Sequence, residues 1–273
     1  MDVQLQEFRP VQALRPYVQR FWTGCFNARG GDRLVQRVVP NGFVEVIVHL
    51  TDPHCDLPVA SGWRQSPDDI LIGLQNGPYE VRFADRVEVF AIRFKPAGFC
   101  SLFGVPLGEL ADTHEDLTAV VGRRFRELAA RLRDARDVAG RLRVAERVLT
   151  EAAACRETTY LDRAAEWIGA SGGRLPVAAL ADHLGISRRQ LERAFKRQLG
   201  LSPKQYMRIA RLNVVHGLLQ DGRHRGLADV AYRAGYADQS HFNRDFKQFV
   251  GDSPSRYLAD QALYAVSGVA RDP

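Results

Sequence analysis

At 273 residues, with 45% hydrophobic and 26% charged content, the chain is long enough for one large or two ordinary globular domains and too apolar for disorder. No apolar run of about 18 residues occurs, and the N-terminus MDVQLQEFRP carries early acids, so a signal peptide and a membrane-spanning helix are excluded and a cytoplasmic protein is expected. The net charge of +6 is one-sided: Lys plus Arg equal Asp plus Glu at 21 each up to residue 157, whereas 17 face 11 beyond it, an asymmetry that suits a polyanionic partner.

In chain order, VQRVVPNGFVEVIVHL over 35–50 predicts two strands joined by a tight Pro-Asn-Gly turn. DILIGL (69–74), YEVRF (79–83) and VEVFAIRF (87–94) predict further short strands, in the rhythm of an antiparallel sandwich or barrel. After Pro106 the period changes. Val121, Phe125, Leu128, Leu132, Ala135, Ala139, Leu142, Ala145, Leu149 and Ala152 recur at helical spacing, and Gly140 is the expected break between two helices. This narrow apolar seam suits either a partner chain or the open face of the β half. Residues 154–159 are the candidate linker, and from Thr159 onward the chain reads as wholly helical. The expected class is α+β: a β-rich, cupin-like barrel or sandwich with a helical arm at 107–156, spanning 1–156, then an all-α domain over 157–273.

The all-α part contains a repeat. ADHLGISRRQLERAFKRQLGLSPKQY (181–206) and AYRAGYADQSHFNRDFKQFVGDSPSRY (231–257) share nine positions, pairing Ala181 with Ala231, Gly185 with Gly235, Arg193 with Arg244, Phe195 with Phe246, Lys196 with Lys247, Gly200 with Gly251, Ser202 with Ser253, Pro203 with Pro254 and Tyr206 with Tyr257. Gly185 and Gly235 allow the left-handed conformation that ends a short helix. Ser187, with Gln190 three residues on, and Asp238 are caps for a second helix, and each Ser-Pro opens a further one. Helix, glycine turn, helix is the helix-turn-helix pattern, here present twice.

Helical geometry turns Leu191, Phe195 and Leu199 inward and leaves Arg189, Glu192, Arg193, Lys196 and Arg197 outward. In the second unit Phe242, Phe246 and Phe249 face in, and Ser240, Asn243, Arg244 and Lys247 face out. Arginine forks onto guanine, asparagine onto adenine, and glutamate accepts from cytosine, while Lys196, Arg197 and Lys247 lie where phosphates are met. The alternative is a pair of solvated basic helices. Between the units, 203–220 reads as one connecting helix of about 25 Å, enough to hold two recognition helices near successive major-groove segments.

Over 159–258, the stretches ALADHLGISRRQLERAFKRQLGLSPKQYMRIARLNVV and LADVAYRAGYADQSHFNRDFKQFVGDSPSRYL resemble the DNA-binding domain of the AraC/XylS family. The resemblance implies a seven-helix reader of a bacterial transcription activator or repressor, with double-stranded DNA as partner and contact with RNA polymerase. By matching position it assigns base contacts to Arg189, Glu192, Arg193, Gln239, Ser240, Asn243 and Arg244, and Arg188 joins the DNA-binding set. VVPNGFVEVIVHL and AIRFKPAGFCSLFGVPLGEL resemble the family's small β-rich sensor domain, which implies a small-molecule effector and a homodimer. No sugar-site pattern is present, and the effector-binding residues stay unassigned.

Elsewhere, His49, Asp52, His54 and Cys55 are ligand-type residues without a second cluster, and read as an incidental loop rather than a metal site. Cys25, Cys55, Cys100 and Cys155 form no C-x-x-C pair and read as reduced thiols. Trp22, Trp63, Phe43, Phe83, Phe90 and Phe94 are candidates for a barrel core or a pocket lining. G-x-S-x-G, P-loop, H-E-x-x-H and G-x-G-x-x-G patterns are absent, so a non-enzyme without cofactor is expected. Two alternatives carry the same reader: a DNA-repair methyltransferase, whose Pro-Cys-His-Arg motif is missing, and a scaffold that binds a partner through the arm.

Overall fold

Valine, isoleucine and aromatic residues recur along the strands of the first hundred residues because their stiff side chains suit a pleated, buried surface. The computed structural model describes residues 2–28, 34–52, 55–59, 61–154, 156, 159–259 and 264–265. Its strands are β1 (Asp2–Phe8), β2 (Val18–Asn27), β3 (Leu34–Val38), β4 (Val44–His49), β5 (Cys55–Val59), β6 (Gly62–Gln65), β7 (Asp69–Ile72), β8 (Tyr79–Phe83), β9 (Arg86–Phe94), β10 (His114–Asp116) and β11 (Tyr264–Ala265). They form a six-stranded sheet, β1-β2-β9-β4-β7-β10, and a five-stranded sheet, β11-β3-β8-β5-β6. Every pairing is antiparallel except β11 on β3.

The larger sheet is covered on both faces. Phe21, Val46, Phe90 and Phe94 join the core shared with the helices, while Trp22, Val89 and Ala91 pack with Phe83 of the other sheet. This double cover explains why β4 and β9 are apolar almost throughout. Three corrections to the sequence reading follow from it. The strands on either side of Pro40-Asn41-Gly42 are not a hairpin: β3 pairs with β8 in one sheet and β4 with β7 and β9 in the other. The turn switches sheets, with Gly42 at φ 76° and the Asn41 side chain accepting from the Phe43 amide at 2.9 Å. Residues 107–116 are not helical, because His114–Asp116 pairs with β7 as an edge strand. From Thr159 on the chain is not wholly helical either, since Tyr264–Ala265 returns to add a parallel strand beside β3.

Two short helices, α1 (Gly98–Phe103) and α2 (Leu117–Val121), precede α3 (Arg123–Asp134) and α4 (Val138–Ala153). The chain breaks at Ala135, not at Gly140. Asp137 is the cap of α4 and accepts from the Gly140 amide at 2.7 Å, which puts the glycine inside the first turn. Phe125, Leu128, Leu132, Ala145 and Leu149 of the seam are buried in the chain's own core. The seam therefore covers the β half and is not free to pair with a second copy.

The remaining helices are α5 (Tyr160–Ala170), α6 (Val177–His183), α7 (Arg188–Leu199), α8 (Pro203–Asp221), α9 (Leu227–Arg233), α10 (Gln239–Val250) and α11 (Pro254–Ala259). One contiguous core runs from Leu14 and Phe94 through Phe125 to Phe195 and Phe246, so α+β describes the whole chain. Among the described residues no helix is long and apolar enough to cross a membrane. Cys155 and most of the candidate linker lie outside the described residues.

Candidate nucleic-acid interface

Each unit is a short helix, a glycine turn and a longer helix. Gly185 and Gly235 sit at φ 67° and 83°, the left-handed region where a side chain is strained. Ala181 and Ala231 are buried at the crossings. Helix α7 starts on a capping box: Ser187 Oγ accepts from the Gln190 amide at 3.2 Å, and Gln190 Oε1 accepts from the Ser187 amide at 2.9 Å. In α10 Asp238 accepts from the His241 amide at 2.7 Å. A second box at Ser202, with Pro203 in the first turn, starts α8.

With the starts fixed, the faces follow. Leu191, Phe195 and Leu199 are fully buried, as are Phe242 and Phe246, with Phe249 beside them. Arg188, Arg189, Glu192, Arg193, Lys196 and Arg197 on α7 are exposed, and so are Gln239, Ser240, Asn243, Arg244 and Lys247 on α10. Every predicted DNA-binding side chain thus stands in solvent on one of two helices.

The exposed groups differ in how free they are. Arg188 donates through Nε to Glu192 Oε1 at 2.9 Å, and Lys196 donates to the Gly200 carbonyl at 2.9 Å. Arg189, Arg193, Arg197, Asn243, Arg244 and Lys247 have no partner among the described residues, so their donors are open to a ligand. The positive ends of the arginines and the lysine are the chemistry that meets phosphate and guanine, and the Asn243 amide is the chemistry that meets adenine.

Helix α8 joins the units, and its 19 residues at about 1.5 Å rise span about 28 Å. Arg208 on α8 grips α10 through a fork, Nε to Asp245 Oδ2 at 3.2 Å and Nη2 to Asp245 Oδ1 at 2.8 Å, and also reaches Gln248. This pair orients the second recognition helix, and sequence reasoning missed it. The available signal was an acid on the inward arc of α10, at a position where the first unit has Ala194.

Both units are anchored on the β half. The Gln198 carbonyl near the end of α7 accepts from the Leu107 amide at 3.0 Å and from the Cys100 thiol at 3.2 Å, a thiol that burial pushes up to about 12. A Cβ at Gly108 would lie 2.5 Å from the Arg197 carbonyl oxygen, so only glycine permits this approach. Behind α10, Asp252 accepts from Arg37 on β3 at 2.5 Å.

Between the two sheets lies a cavity of about 130 Å³. Of the aromatics proposed as barrel lining, Trp22 and Phe83 wall it, while Phe90 and Phe94 belong to the helix-facing core. Trp63 lies under the Arg82 guanidinium, 3.5 Å from its ring centre, and Phe43 faces a separate cleft beside α5 and α8. His49 and Cys55 also touch the cavity, and their side chains meet at 3.4 Å. The His49 ring hydrogen-bonds the Asp68 carbonyl at 3.1 Å, and burial lowers its pKa. His54 falls outside the described residues, and among those described no group of three or more His, Cys, Asp or Glu is placed to hold a metal.

A chain with two capped, basic, solvent-facing helices on one connecting helix has the architecture of a double helix-turn-helix DNA reader carried behind a β sandwich. Residues 180–260 match the family model described as "Helix-turn-helix domain", and residues 6–116 match a "Domain of unknown function" designated DUF6597. The HTH-type transcriptional activator RhaS of Escherichia coli is 37% identical over 76 residues, which covers 28% of this chain and only 27% of that activator. A structure of ToxT from Vibrio cholerae is 16% identical, covering 91% of this chain and 99% of that one at a TM-score of 0.49. An AraC-type DNA-binding domain from Chromobacterium violaceum is 30% identical, covering 38% of this chain and 92% of that one at a TM-score of 0.35. At those TM-scores neither overlay defines this fold. Through its helix-turn-helix domain the chain belongs to the AraC/XylS family.

Proposed function

We propose that the chain is a cytoplasmic, sequence-specific transcriptional regulator, divided into a sensor over 1–156 and a DNA reader over 157–273. Helices α7 and α10 enter two adjacent major-groove segments, with Arg189, Glu192, Arg193, Gln239, Ser240, Asn243 and Arg244 on base edges. Arg188, Lys196, Arg197 and Lys247 meet phosphates. The observation that carries this reading is the doubled arc: Arg193 and Lys196 stand exposed over buried Phe195 just as Arg244 and Lys247 stand over buried Phe246. If the reach from α7 to α10 falls short of the roughly 34–36 Å turn of B-DNA, bending the site makes up the difference at a cost of about 1–6 kcal/mol.

The sandwich cavity is the effector site in this reading, and β9, which puts Arg93 on the cavity wall, runs on toward α1, whose Cys100 meets the end of α7. A homodimer would use a surface other than the arm's buried seam. RNA polymerase is the partner that an activator requires.

The test selects binding sites from random duplexes with the full chain, then measures affinity for the selected and scrambled sequences across about 50–200 mM salt. A selected site bound at least about 10³-fold tighter, with steep salt dependence and a footprint of two half-sites, is the expected result. Equal affinity for both sequences, or affinity flat in salt, overturns the reading.

A further inference from the structure

The sandwich cavity has a charged corner built from Glu7, Glu45 and Arg93. Arg93 on β9 is almost fully buried there and donates through Nε to Glu45 Oε1 at 2.6 Å and through Nη1 to Glu7 Oε1 at 3.1 Å. Glu45 is already saturated: its Oε2 accepts from the Trp22 indole at 2.9 Å, and its Oε1 also accepts from Asn41 at 3.1 Å. Glu7 pairs with Arg20 as well, Nε to Oε2 at 3.9 Å, so the two carboxylates face two guanidinium groups. Glu7 Oε2 is nonetheless buried without a hydrogen-bond partner.

The walls beside this corner are aromatic. Trp22, Phe26, Tyr79 and Phe83 line the space, with Phe26 and Phe83 stacked 4.5 Å apart. A buried carboxylate oxygen without a donor, beside aromatic rings, favours a cation over an anion. A carboxylate ligand would meet two carboxylates and an arginine engaged by both. Size narrows the choice further: an engineered apolar cavity of about 150 Å³ takes a benzene ring, and this one is about 130 Å³.

Resting on the effector reading above, we propose that the cavity binds a small amine bearing a single ring, its ammonium on Glu7 and its ring among Trp22, Phe26 and Phe83. The amine donates to the unpartnered Glu7 Oε2, while Arg93, itself held by Glu45, fixes the other oxygen of that carboxylate.

Calorimetric titration of the full chain with benzylamine, benzyl alcohol and benzoate tests this, because the three share a ring and differ mainly in the polar group. Benzylamine is expected to bind at least about tenfold tighter than benzyl alcohol, with benzoate weakest. Glu7→Gln is expected to close the gap between amine and alcohol without weakening the alcohol. Benzoate binding as tightly as benzylamine, no binding of any of the three, or an unchanged gap in Glu7→Gln overturns the proposal. Should that variant not fold, the ranking on the unaltered chain decides by itself. Site selection with the same preparation separates the two readings: loss of sequence preference with the amine ranking intact indicts the regulator, and the converse indicts the cavity alone.

Discussion

The two helix-turn-helix units share a backbone plan and differ in nearly everything that decorates it. Both carry a turn glycine, a buried phenylalanine and a left-handed glycine closing the recognition helix, at φ 77° for Gly200 and 87° for Gly251. The first unit presents five cations on α7, one of them tied to Glu192. The second presents two on α10, with Gln239, Ser240 and Asn243 beside them. Helix α7 lies on apolar contacts where Ala194 is buried, whereas α10 is gripped by Arg208 through Asp245. Duplication thus preserves what geometry requires, while the exposed arc diverges, densely cationic in one unit and mixed with amide and hydroxyl side chains in the other.

The largest expected effect probes the anchoring difference. Arg208→Ala strands the buried Asp245 carboxylate and should cost about 3 kcal/mol in denaturant unfolding, whereas Arg189→Ala, on the exposed face of α7, should stay within about 0.5 kcal/mol. Similar losses would mean that the ion pair does not distinguish the units.

Acid should act through the second unit as well. His216 on α8 packs against Phe246 and Tyr257, and burial pushes its pKa down to about 4. The unfolded chain takes up this proton near pH 6.5 and the folded chain only near 4, so stability is full above 6.5 and falls between those values, by roughly 3 kcal/mol in all. His216→Leu should flatten this share of the pH profile. His114, pushed down to about 4 by burial, supplies a similar acid loss that remains in the variant. An unchanged profile would show that His216 does not titrate in this way.

At the interface, Arg193→Ala and Arg244→Ala should each lose about 1–3 kcal/mol on the selected site and little on random DNA. Equal losses on both sequences would make these arginines phosphate clamps. Last, Ser187→Ala and Asp238→Ala should each cost about 1 kcal/mol in thermal or denaturant unfolding. Because Ser187 belongs to a reciprocal box and Asp238 caps by itself, a far larger loss at Asp238 would reverse the expected symmetry.

The recognition helices were legible in the sequence because their signals are local. Glycine turns, Ser and Asp caps and the three-four spacing of Leu191, Phe195 and Leu199 each act within a turn or two of helix. The β half was read only in outline. β1 and β2 carry no strong local signal, and the turn at Asn41 reads locally as a hairpin, since pairing depends on residues far along the chain. The Arg93–Glu45 pair did leave a trace: Arg93 lies in step with Val87, Val89 and Ala91, a charge on an otherwise apolar inward face.

The sequence by itself determined the duplicated reader, its caps, its exposed basic arc and the β-then-α order, because spacing and capping are short-range physics. Only the tertiary structure decided that the arm's seam is spent on the chain's own core, that Gln198 and Asp252 anchor the reader to the sandwich, and that Glu7, Glu45 and Arg93 meet in one cavity. Those outcomes depend on which distant surfaces come together to exclude water, and that is a property of the packed whole.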